Sequence, residues 1–137
     1  MKAKLLISLN SVVILVGAAS CGNGQTIVEA DVAGATIIGV VSTSTGPIGG
    51  VGVRAEAHPI DCSDTTSVGV DAGVTTNDGT VVLNIVSQFT GKACVILSAV
   101  RQVGAQSEQV SGPPIMLTFR YTSAGIRDTA RVSLMLP

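Results

Sequence analysis

From residue 26 onward the apolar side chains recur at every second position, and no stretch of helix length carries them at helical spacing. TVVLNIV (80–86) sets Val81, Leu83 and Ile85 on one face. VGVRAEA (51–57) sets Val51, Val53, Ala55 and Ala57 on one face and Arg54 and Glu56 on the other. IMLTFRY (115–121) and TARVSLML (129–136) repeat the pattern with Ile115, Leu117, Phe119 and Tyr121, and with Ala130, Val132, Leu134 and Leu136. A period of two is the signature of an extended chain with one face buried.

Two further runs, ATIIGVVS (35–42) and ACVILSAV (93–100), are almost continuously apolar and predict strands with more cover. Turn formers separate the runs. STSTGPIGG (42–50) and HPIDCSDTTS (58–67) predict loops, and Asn77-Asp78-Gly79 predicts a hairpin turn, because Asp-Gly accepts positive φ. Val68–Thr76 has room for one or two short strands, and Arg101–Ser107 predicts a polar loop before a weak strand at Glu108–Val110. Ser111-Gly112-Pro113-Pro114 ends that strand, since proline supplies no backbone donor. TSAGIRD (122–128) turns the chain toward its last strand. About seven strands in one domain-sized chain of 137 residues predict an all-β fold, an immunoglobulin-like (prealbumin-like) Greek-key β-sandwich of two antiparallel sheets. An up-and-down barrel is the alternative. Aromatic residues make up only 2% of the chain, so aliphatic side chains must build the core, and Tyr121 is expected within it.

Residues 1–20 have a different character. Lys2 and Lys4 precede a thirteen-residue apolar run, LLISLNSVVILVG, and then the small residues Ala18-Ala19-Ser20. The run falls short of the roughly 20 residues that span a bilayer, so the segment predicts a secretory signal. Cys21 follows at once. This pattern resembles the signal of bacterial lipoproteins, with Ala18 where that family favours Leu. The resemblance implies a diacylglycerol on the Cys21 thiol, cleavage just before it, and membrane attachment through that lipid. An ordinary signal peptidase would suit the same bond, leaving a secreted chain. Gly22-Asn23-Gly24-Gln25-Thr26 predicts a flexible tether, which gives residues 1–20 as signal, 21–33 as lipidated cysteine and tether, and 34–137 as the β-domain. Gly22, in place of the aspartate that such lipoproteins use for retention at the inner membrane, points to the outer membrane where one exists.

The chain has three cysteines, and lipidation of Cys21 leaves an even pair. Cys62 and Cys94 are then expected to form a disulfide in an oxidising compartment.

Two longer stretches carry a second resemblance. Residues 38–57 hold Gly46, Pro47, Ile48, Gly50, Val51 and Val53; residues 73–100 hold Thr75, Thr76, Asp78, Gly79, Leu83, Gly91, Val95 and Ala99. Together they resemble carboxypeptidase regulatory-like domains and the invasin-type bacterial immunoglobulin-like domains. Val81 stands where the regulatory-like domains usually place an aromatic residue. The resemblance implies the same Greek-key sandwich.

Little in the chain suggests chemistry. His58 is the sole histidine, with Asp61, Ser63 and Asp64 nearby, and reads as a loop of turn formers rather than a triad. A purine-pathway hydrolase shares the prealbumin-like fold, but its several histidines have no counterpart here. Asp61, Asp64, Asp71 and Asp78 lack calcium-loop spacing, and no phosphate-binding glycine motif occurs, so neither a metal nor another cofactor is expected. Without residues 1–20, six basic residues face all nine acidic ones, a balance near −3 with no basic patch for nucleic acid. The expected function is a non-enzymatic, lipid-anchored module of the cell envelope that contacts an envelope protein or surface ligand. The alternative is a small-ligand carrier or accessory binding subunit.

Overall fold

The computed structural model describes residues 32–121 and 127–137. Among them nine strands form one curled, mostly antiparallel sheet without helix. These are β1 (Ala33–Thr43), β2 (Gly46–Pro47), β3 (Gly52–Pro59), β4 (Gly69–Val74), β5 (Thr80–Ser87), β6 (Gly91–Val103), β7 (Gln106–Ser111), β8 (Ile115–Tyr121) and β9 (Asp128–Met135). Residues 1–31, with Cys21 and the expected signal and tether, and most of the expected 122–128 turn, lie outside the described residues.

The sheet has two halves. In one, β1 lies between β5 and β9. In the other, β3 lies between β4 and β6, and the far edge of β6 is taken by β8 along Gly91–Val95 and by β7 along Ser98–Val103. Strand β8 joins the halves: Ile115–Phe119 pair with β6, while Arg120 and Tyr121 pair with Gly34 and Ala33.

The alternation read from the sequence decides which face turns inward. Val53, Ala55 and Ala57 of β3 meet Leu83 and Ile85 of β5, Ile37 of β1 and Leu97 of β6 in one buried cluster, with Phe119 the largest fully buried side chain. Complete burial of an aliphatic side chain stabilises by about 1.5–3 kcal/mol, so this face holds the curl closed. Phe89 meets Phe119 edge to face, with ring centroids 6.3 Å apart. Side chains also close the seams between the halves. The Ser87 hydroxyl donates to the Val68 carbonyl at 2.5 Å, and the Thr118 N–H donates to the Asp128 carboxylate at 2.9 Å.

The structure corrects four expectations. Among the described residues nine strands form rather than about seven. The pairing of β1 with β9 is parallel from Ala35–Asp128 to Ser42–Met135, so the half that contains it is not purely antiparallel. The expected loop at Arg101–Ser107 is mostly strand, because β6 and β7 make a tight hairpin around Gly104 at φ +62°. Tyr121 is 52% exposed, since β8 runs past the edge of the core before it ends.

Candidate interaction surface

The outer face of the β4–β3–β6–β7 half carries a groove that lies over small residues, Gly52 among them. Register sets Val74, Gly52, Val100 and Gln109 side by side across four strands, and Ala72, Arg54, Ser98 and Ser111 in the next row. Gly52 contributes no side chain between Val74, 62% exposed, and Val100, 38% exposed. A shallow groove of about 350 Å³ results, lined by Gly52, Arg54, Ala72, Ser98, Val100 and Gln109 among others. A Cβ at Gly52 would come no closer than 3.6 Å to another heavy atom, the Val100 carbonyl oxygen. A side chain there would therefore stand in the groove without displacing the sheet.

Polar groups sit among this apolar surface. Arg54 reaches Glu56 along its own strand at 3.2 Å, which leaves part of its five-donor fork for other acceptors. Ser98 and Gln109 add a hydroxyl and an amide. Apolar surface with a few placed hydrogen-bonding groups suits an extended peptide or a small amphipathic molecule.

The other end of the same face is covered by the loop after β3. Cys62 in that loop is bonded to Cys94 of β6, with Cα atoms 5.2 Å apart, and Cys94 is buried beneath it. Aspartates shape the loop: the Asp61 carboxylate accepts the Ser63 N–H, and the Asp64 carboxylate accepts the Thr66 N–H. The Ser63 hydroxyl also donates to Asp61 and, with the Ser63 N–H, holds the Asp61 carboxyl below the usual aspartate range. His58 Nδ1 lies 3.0 Å from the Thr66 carbonyl oxygen, which commits its proton to the loop backbone. His58 thus bonds to the loop backbone, while Ser63 and Asp61 bond to each other.

At the opposite end of the domain, Asp78 closes the β4–β5 turn. The Thr76 hydroxyl, then the Thr80 hydroxyl and N–H, donate to its carboxylate and hold it down to about 2. Thr75 is buried beside this turn, donating to the Ile48 carbonyl at 2.8 Å and accepting the Val51 N–H at 3.0 Å. Thr75, Thr76, Asp78 and Thr80 thus use their side chains to hold this turn and the loop beside it.

Of the residues singled out in the sequence, Cys62 and Cys94 are brought together, and Cys21 is outside the described residues. Among the described residues no group of three or more His, Cys, Asp or Glu side chains is placed to hold a metal ion. Sequence reading missed Gly52, Arg54 and Gln109 as one surface. Its one local signal was a glycine at an outward position of an otherwise regular strand; the rest depends on register across four strands. No known protein family, characterised protein or solved structure matches this chain.

Proposed function

We propose that this chain is a lipid-anchored, extracytoplasmic module with an immunoglobulin-like β-sandwich fold, non-catalytic, which binds an envelope protein through the groove on its β4–β3–β6–β7 face. The Cys62–Cys94 bond is the observation that carries this reading. A structural disulfide suits an oxidising compartment outside the cytoplasm. It also uses two of the three cysteines and leaves Cys21, which follows the apolar leader and the small residues Ala18-Ala19-Ser20, as the thiol available for acylation. The shared core between the two curled halves supports the sandwich, and the likeness of residues 38–57 and 73–100 to carboxypeptidase regulatory-like domains agrees with it.

The test has two arms. Mass spectrometry of the protein from the membrane fraction is expected to find diacylglycerol and acyl mass on Cys21, and Cys21→Ser is expected to move the protein to the soluble fraction. A photo-crosslinker at Gln109 is expected to capture one protein in intact cells, and Gly52→Leu, which fills the groove, to abolish that capture. An unmodified Cys21 overturns the anchor; capture indifferent to Gly52→Leu overturns the groove.

A second reading, a small-ligand carrier, is favoured by the groove volume, which falls near the lower end of the range for ligand pockets at roughly 300–1,000 Å³. A low-mass compound retained in native mass spectra, and lost in Gly52→Leu, would select it.

A further inference from the structure

We propose that the end of the domain where β1 begins rests in the headgroup layer of a phospholipid bilayer, with Ile60 and Tyr121 as its apolar contacts. The inference rests on acylation of Cys21 and adds an orientation and a second, protein-borne membrane contact.

Topology gathers several elements at that end. Ala33 pairs with both Ser87 and Tyr121, Gly91 pairs with Phe119, and the Ile60 N–H donates to the Lys92 carbonyl at 3.0 Å. The start of β1, the ends of β5 and β8, the start of β6 and the disulfide loop are therefore neighbours. Ala33 is twelve residues from Cys21, and a chain of that length reaches at most about 40 Å. An acylated Cys21 holds the domain within that reach of the lipid, and the start of β1 is the point of the described chain nearest to it in sequence. Tethering at such reach gives an effective concentration on the order of millimolar, so a weak surface affinity is enough to hold the domain down.

What the end exposes fits an interface between water and hydrocarbon. Ile60 is 73% exposed and Tyr121 is 52% exposed. Tyrosine favours this layer because its ring is apolar and its hydroxyl polar. Ile60 has φ +69°, a conformation that a β-branched residue rarely adopts. Neighbours enforce it: besides the bond to Lys92, the Asp61 N–H donates to the Pro59 carbonyl at 2.8 Å, and Cys62 is tied to Cys94. The loop thus spends backbone strain to hold an isoleucine in solvent, a feature that clusters at functional positions.

Lys92, Arg120 and Arg127 are the cations described at this end, Arg127 beside Gly34, but Arg120 pairs with Asp128 at 3.0 Å and the loop carries Asp61 and Asp64. The charges roughly balance, so the contact is led by apolar insertion and depends little on the anionic lipid fraction.

Tyr121 is the sole tyrosine and the chain has no tryptophan, so intrinsic emission reports this one position. The experiment compares acylated protein on phosphatidylethanolamine–phosphatidylglycerol vesicles with soluble Cys21→Ser protein, reading acrylamide quenching. Insertion is expected to lower quenching of Tyr121 about threefold on vesicles, as for a ring withdrawn into the headgroup layer. Ile60→Asp is expected to restore it. A tryptophan placed by Thr45→Trp, in the turn at the far end of β1, is expected to quench alike in both states. An acylated chain whose Tyr121 quenches on vesicles as in solution overturns the inference and leaves the anchor standing. A chain without acyl mass on Cys21 overturns both.

Discussion

The Asp71 carboxylate of β4 accepts the backbone N–H of Asn84 on β5 at 2.7 Å. The two strands belong to different halves of the sheet, so this bond crosses a seam where no ladder forms. It also occupies a donor on the edge of β5, which has no strand partner besides β1 among the described residues. A free edge is a template for association with other chains. Asp71→Ala is therefore expected to destabilise the domain by about 1–2 kcal/mol, in line with a hydrogen bond to a charged group at a partly exposed site. Asp71→Asn, which retains an acceptor, is expected to lose less. Urea denaturation checks the order, and equal midpoints for all three proteins would refute it.

Gly79 has φ +77°, and a Cβ there would fall 2.4 Å from the Val41 carbonyl oxygen. The same glycine supplies the carbonyl that accepts the Val41 N–H at 2.8 Å. Gly79→Val combines left-handed strain, about 1–2 kcal/mol for a residue with Cβ, with a collision against backbone that cannot swing aside. The thermal midpoint is expected to fall by several degrees or more, and an unchanged midpoint would contradict the assigned turn geometry.

Those two sites differ in how far the sequence announces them. Gly79 was legible because Asp-Gly between alternating runs is a local signal. The inward faces of β3, β5 and β9 were legible for the same kind of reason: each strand states its own alternation. Asp71 was not, since its role exists only once β4 and β5 stand on opposite sides of a seam. The parallel pairing of β1 with β9 joins the two extremes of the domain, and no local pattern encodes it. β7, with sequence QSEQVS, has one large apolar residue and nothing to distinguish it from a loop; its pairing with the end of β6 identifies it. Tyr121 keeps the inward phase of β8 yet lies beyond the buried layer, so periodicity gave its side and not its depth. The groove combines these difficulties, because it lies over Gly52 among residues of four strands that only register brings together.

The Cys62–Cys94 bond closes a separation of 32 residues. In the chain-entropy account, a loop of this size makes the bond worth about 3–4 kcal/mol. The pair Cys62→Ser, Cys94→Ser is expected to lower the unfolding free energy by roughly that amount. The same change is expected to raise hydrogen exchange in the Ile60–Val68 loop, which the bond pins to β6. Thiol titration of the denatured native protein offers an independent check: two more thiols are expected after reductant than before, and equal counts would exclude the bond.

Asp78 makes stability depend on acid in a definite direction. Its carboxyl is held at about 2 in the folded protein, against 3.8 ordinarily, by the Thr76 hydroxyl first and then by the hydroxyl and N–H of Thr80. Unfolding removes those donors, so the unfolded chain takes up the proton at the higher pH. Between the two values the unfolded state binds more protons, and stability rises with pH there. The contribution is complete above roughly pH 5 and disappears as pH falls toward the folded value. Nuclear magnetic resonance titration of the Asp78 carboxyl carbon is expected to give a midpoint near 2. Asp78→Asn, which retains one acceptor for the threonine donors but cannot ionise, is expected to flatten the acid limb of the stability profile. A midpoint at 3.8, or an acid limb of unchanged slope in the variant, would show that the threonines do not hold the carboxylate in solution.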